Sequence, residues 1–226
     1  MRRCFNNKNL GEYEMTLSRV MKIFGIIIVI LIIGGLLLMI KRVLKEETVD
    51  LKDISRITIN NSRADVFIYT SNNDKLKITQ YSRSKIEEEK KFNISVSNGN
   101  LLISNDYDSV MAGISYEIYI PISYKGSLDI CTGKGNIEYK GENSLVFNSF
   151  NTKISERGNI IISNLGISSN SDLYTKIGNI DLSISNNDNC KVIGKSDSGD
   201  VNVDLKYNNG NVEVNVETRR GNIKVS

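Results

Sequence analysis

Three carboxylates in the C-terminal half, Asp181, Asp200 and Asp204, lie near Lys176 and Lys195. Paired carboxylates are what a glycan-cleaving β-helix would need for acid/base work. Their setting argues for a blander role. Asp181 and Asp204 alternate with apolar residues, which predicts outward, solvated positions, and Asp200 follows a glycine in a turn. The chain has no His, which removes the commonest general base and the commonest zinc ligand. Its three cysteines, Cys4, Cys131 and Cys190, form no CxxC pair. The glycine-aspartate nonapeptides of calcium-binding β-rolls are also absent. The reading is therefore no catalytic residue, no cofactor and no metal: not an enzyme.

The elements that carry these residues differ sharply along the chain. Residues 1–22 form a short basic tail. Residues 23–40, IFGIIIVILIIGGLLLMI, are unbroken apolar and would span ~27 Å as a helix, close to a bilayer core. Arg19 and Lys22 flank the run on one side, and Lys41, Arg42 and Lys45 on the other. The run lacks a small-residue cleavage site, so it reads as an uncleaved transmembrane helix in contact with the lipid bilayer. Residues 41–53 are expected to be a juxtamembrane linker. The short tail and the polar β-rich remainder favour a single-pass protein with its N-terminus inside and its C-terminal domain outside the cell membrane.

Charge divides the same way. Of 29 Lys+Arg, eight precede residue 46, with only two of the 26 Asp+Glu. The remainder holds 21 basic against 24 acidic residues, a net −3. The overall basic balance belongs to the membrane segment and is no argument for nucleic-acid binding.

From residue 54 short alternating strands are predicted at Ile54–Ile59, Val66–Tyr69, Leu76–Gln80, Phe92–Val96, Leu101–Ile103 and Ile114–Ile120, with a tight turn at Ser97-Asn98-Gly99-Asn100. Glu87–Lys91 is a charge run expected in a solvated loop or at a strand edge. From residue 130 one phrase returns five times: Ser/Thr, two variable residues, Gly, Asn/Asp, Ile/Val, any residue, apolar. Its turn residues are Gly135-Asn136, Gly158-Asn159, Gly178-Asn179, Gly199-Asp200 and Gly221-Asn222, at spacings of 23, 20, 21 and 22. Glycine reaches φ > 0 without penalty and Asn/Asp suit turns. Each turn launches a strand whose second and fourth residues after Gly are apolar, so one face is buried. Such repeats predict coils of a β-solenoid, favoured over a β-sandwich. The second repeat departs upstream of its turn, because Lys153 falls where Ile130, Leu173 and Val216 sit. A bulge or register shift is expected there. Tyr207–Val214 contains Asn-Gly and reads as an extra hairpin.

The stretch Tyr119-Ile-Pro121-Ile-Ser-Tyr-Lys-Gly-Ser-Leu128-Asp-Ile130-Cys-Thr132-Gly-Lys-Gly135-Asn-Ile137 resembles the signature of the bacterial "putative adhesin" family, toast-rack-like and of unknown function. The resemblance covers about residues 54–226. It implies one right-handed β-solenoid-like domain without known enzymatic activity, often tethered to the membrane and in some members linked to envelope stress responses. It brings no functional residues.

The expected function is a membrane-anchored extracytoplasmic binding or scaffold protein, adhesin-like or tied to envelope stress. Its partner would be an envelope protein, a glycan or its own copies. The alternatives are a sensor or regulatory accessory protein acting through the cytosolic tail and, less favoured, a glycan-acting β-helix enzyme. Register predicts no Cys131–Cys190 disulfide, the two lying in different columns about two coils apart. The chain stops in mid-phrase at Ser226. Either residues 50–125 pack across that end, the favoured reading, or it self-associates.

Overall fold

A computed structural model describes residues 41–84, 86–108, 113–141, 145–185, 189–207 and 209–226, and the folded unit runs Arg42–Ser226. The expected span at 23–40 and the tail at 1–22, with Cys4, lie outside the described residues. Among the described residues no helix is long and apolar enough to cross a membrane.

The unit is all-β. Alternation of period two is visible in burial: Arg56–Arg63 (β2, after β1 at Arg42–Asp50) buries Ile57, Ile59 and Asn61 and turns the residues between them outward. The following strands are β3 (Asp65–Ser71), β4 (Lys75–Ser82), β5 (Asn93–Ser97), β6 (Asn100–Asn105), β7 (Ser115–Pro121), β8 (Ser127–Lys134), β9 (Ile137–Lys140), β10 (Val146–Phe147) and β11 (Phe150–Arg157). The series ends with β12 (Ile160–Ile167), β13 (Ser171–Ile177), β14 (Ile180–Ile184), β15 (Cys190–Ser196), β16 (Val201–Val203), β17 (Val212–Arg220) and β18 (Ile223–Val225).

Two sheets result. One runs β1-β4-β7-β3-β9-β12-β14-β18-β16, with β10 beside β12; the other runs β15-β17-β13-β11-β8-β2-β6-β5. The strand pairs β2/β3, β6/β7, β8/β9, β11/β12, β13/β14, β15/β16 and β17/β18 each give one strand to each sheet, and these coils stack in parallel register. An antiparallel sandwich is thereby excluded. The inward residues of both sheets form one core. Its centre is aromatic, with Phe147 and Phe150 at 5.4 Å between centroids and Tyr139 at 5.8 and 5.4 Å from them.

Coil order departs from chain order at both ends. Coil β2/β3 lies inside, between β6/β7 and β8/β9, and the antiparallel strands β1, β4 and β5 close that end. At the other end β17 lies between β13 and β15, and β18 between β14 and β16. The chain's last coil is therefore internal, and the fourth repeat is the terminal coil. This corrects the expectation for the C-terminus. Residues 50–125 do not cover it; they build the opposite end, and Ile223–Val225 is paired on both sides. Residues 42–50, read as linker, are an edge strand.

The predicted turn at residues 97–100 is a two-residue hairpin with Asn98 and Gly99 both at positive φ, 50° and 73°. The hairpin expected at 207–214 is absent, because β16 and β17 lie in different sheets. Tyr207 is instead fully buried and donates its hydroxyl to the Ser226 carbonyl at 3.1 Å. The charge run folds into a single 3-10 turn, Glu88–Lys90, with Lys90 and Lys91 paired to Glu87 and Glu88.

Candidate functional site: the glycine-turn corner

The five turn glycines stack in one column along a corner of the coils. Gly135, Gly158, Gly178, Gly199 and Gly221 have φ between +135° and +159°. A Cβ on any of them would also lie 1.8–2.1 Å from a carbonyl oxygen of the neighbouring coil, Ala64 for Gly135 and another turn glycine for the rest. Backbone angle and backbone approach both demand glycine here.

The flanking residues of the phrase hold that column. Thr175 donates to the Gly158 carbonyl at 2.8 Å, Thr218 to Gly178 at 3.0 Å, and Ser196 to Gly221 at 2.9 Å. The residue after each glycine forms a ladder. Backbone N–H of Asn136 donates to the Asp65 side chain, Asn159 to Asn136, Asn179 to Asn159, Asn222 to Asn179 and Asp200 to Asn222, all at 2.8–2.9 Å. The ladder runs 65-136-159-179-222-200, the same inverted order as the coils. Its inner rungs are neutral amides and its two ends are aspartates.

The second repeat is the exception foreseen from Lys153. Thr152, not Lys153, pairs with Ile130 and Leu173, and the register shifts between Ile154 and Arg157. One additional residue in β11 puts Ile154 in the column of Thr132 and Thr175 and leaves Ser155 exposed. The Thr152 hydroxyl is buried without a partner in the structure.

Charge gathers at this corner. Arg63 pairs in register with Lys134, Lys134 with Arg157, and Ile177 with Arg220. A concavity of about 670 Å³ is lined by Arg63, Lys134, Glu156, Arg157, Lys176 and Ile177. Arg63 is paired with Asp108 and Lys134 with Glu156 at 2.7 Å. Asp108 is held below the usual carboxylate range, first by its hydrogen bond from Arg63.

The carboxylates and lysines singled out earlier do not converge. Asp181 is exposed on β14, in register with Lys224. Asp200 ends the ladder, Asp204 pairs with Lys206 at 3.7 Å, Lys195 pairs with Glu217 at 3.6 Å, and Lys176 lies in the basic groove. Among the described residues no cluster of three or more potential metal ligands occurs. Cys131 and Cys190 are free thiols on β8 and β15, with β11, β13 and β17 between them. That is four strand spacings, ~19 Å, where about two coils had been expected, and it is far beyond disulfide reach. Burial raises the Cys190 thiol pKa.

Two surface features were not foreseen, the basic groove and an aromatic pair. Tyr69 and Tyr119 stack at 5.1 Å, and Tyr81 and Tyr119 both donate to Glu117. Burial, then Glu117, pushes Tyr81 up to about 12. Both features join residues far apart in sequence through cross-strand register, which no local pattern displays.

The family model Toastrack DUF4097 matches residues 54–165. Its match ends within β12, while the glycine column continues to residue 221. The fold is similar to the crystal structure titled a "putative cell adhesion protein" from Clostridium sporogenes (TM-score 0.61, 15% identity, covering 81% of this chain and 99% of that one). A "putative adhesin" from Bacteroides fragilis matches at TM-score 0.36 and 12% identity, over 82% of this chain and 97% of that one. Among curated proteins no sequence matches.

Proposed function

With residues 54–165 matched by the Toastrack DUF4097 family model, we propose that the protein is a membrane-anchored binding or scaffold protein of the cell envelope, its β domain outside and its tail inside. It performs no covalent chemistry. The observation that carries this reading is the laddered corner. Glycine contacts, hydroxyl bonds and the amide ladder spend the polar groups of the repeat on rigidity, and what they leave outward is a periodic surface suited to contact. The apolar run at 23–40 supplies the anchor. The adhesion wording of the Clostridium sporogenes structure agrees with a contact role.

The chain's own cysteines test the topology. Half-exposed Cys131 should react with a membrane-impermeant maleimide in intact cells, and Cys4 only after permeabilisation. Cross-linked capture from intact cells should then recover an envelope protein or glycan. Labelling of Cys4 in intact cells, or capture of no envelope component, overturns the proposal.

A further inference from the structure

The soluble part carries a net −3 (21 basic against 24 acidic residues after Lys45), yet its groove is strongly basic. From β2 to β17 the positions at or just before the turn column read Arg63, Lys134, Arg157, Lys176 with Ile177, then Arg219 with Arg220. Among the described residues only the first two have carboxylate partners, Asp108 and Glu156. Among the described residues no carboxylate lies within ion-pair distance of Arg157, Lys176, Arg219 or Arg220. On the terminal coil Ser196 pairs with Thr218, and the residue that follows it is the acidic Asp197, so the run of cations ends there.

We propose that this groove binds a linear, phosphate-bearing polyanion laid along the stacking axis. Three spacings of ~4.8 Å separate Arg63 from Lys176, so the groove's cations line ~14 Å of path, and Arg219 and Arg220 on β17 carry the run one coil beyond it. A single anion would meet one or two of them, whereas a chain collects all and releases its condensed counterions. Guanidinium groups at three of the levels favour phosphate, which they engage through two parallel N–H bonds. The site is concave, and a flat bilayer cannot enter it. The acidic remainder of the domain would also be repelled by an anionic surface. The inference gives the proposed binding role a ligand class and rests on that reading.

The test uses the full chain in nanodiscs of zwitterionic lipid, with end-labelled inorganic polyphosphate as probe and anisotropy as readout. Binding should be measurable at about 50 mM salt and fall steeply as salt rises. The pair Arg157→Gln with Lys176→Gln should lose about tenfold in affinity and reduce the salt slope by about one to two, with melting unchanged because both side chains are exposed. The pair Lys52→Gln with Lys75→Gln, equal in charge change and away from the groove, should lose less than about twofold. Inorganic phosphate should compete poorly, and phosphatidylglycerol vesicles should not be bound. No polyphosphate binding at low salt, equal losses from both pairs, or capture by vesicles in place of polyphosphate would overturn the inference. Failure here with an envelope partner still captured from cells strikes the ligand class and leaves the binding role standing. Polyphosphate binding with no partner captured does the reverse.

Discussion

At the scale of the residue, two neighbours show how sharply the pleat divides labour. Ile180 is 1% exposed between Ile160 and Ile223, and Asp181, one residue on, is solvated. Ile180→Asp removes a core side chain and buries a charge with no partner, a loss of more than about 4 kcal/mol that should unfold the domain. Asp181→Asn should move the melting temperature by no more than a degree or two, since exposed substitutions usually stay within about 0.5 kcal/mol. Equal melting of the two variants would refute the assigned faces. The fourth repeat marks the limit of that alternation. Its Val201 stands where the buried residues Ile160, Ile180 and Ile223 stand, but is 43% exposed because β16 has a neighbour on one side only.

At the scale of the element, the corner ladder explains why the phrase tolerates Asp only at its margins. Each inner rung must offer an oxygen to the next coil's N–H. Carboxylates would do so, but at coil spacing they would repel one another by about 1 kcal/mol per adjacent pair at an exposed site. Asp65 and Asp200 lie at the ends, with a neutral amide beside each. The triple variant Asn136→Asp, Asn159→Asp, Asn179→Asp would make a run of four with Asp65. Mutual repulsion raises these carboxyl pKa values in the folded state. The cost is then absent below the unfolded pKa of about 4 and grows as pH rises through the raised values, to about 3 kcal/mol at neutrality. Denaturant melts at pH 3.5 and 7 should converge with wild type at the lower pH. A constant deficit at both would show that the amides matter for shape and not for neutrality. The elements themselves were largely legible. The phrase marked five turns and five strand starts, and Lys153 exposed the extra residue of β11. The groove was not legible, since Arg63 and Lys134 are 71 positions apart and meet only through parallel register.

At the scale of the whole molecule, the order of coils is what local pattern could not supply. Every turn in the column has the same chemistry, so nothing in a single phrase says which coil it stacks upon. Only slight differences hint that the fourth repeat is terminal: Asp200 in place of Asn, the exposed Val201, and Gly194, at which a Cβ would meet Val201 at 2.7 Å. The consequence is a fold that cannot be completed in chain order. Until β17 and β18 exist, β15 and β16 lack the strands they pair with, because in both sheets the last coil separates the fourth from the third. Removing residues 208–226 should therefore cost far more than a frayed terminus. It deletes two internal strands, orphans coil β15/β16, strips Tyr207 of its Ser226 acceptor and leaves β13 and β14 as raw edges. In hydrogen exchange on the truncated chain, amides of Cys190–Ser196 and Val201–Val203 should lose all protection. The buried strands β8 and β11 should retain part of theirs, since neighbouring coils stabilise one another mainly through nearest contacts. Supplying residues 208–226 as a separate peptide should restore protection to β15 and β16 together with β13 and β14. Protection of β15 in the truncated chain without the peptide would mean that the fourth coil can stack directly on the third, and the inverted order would then be wrong.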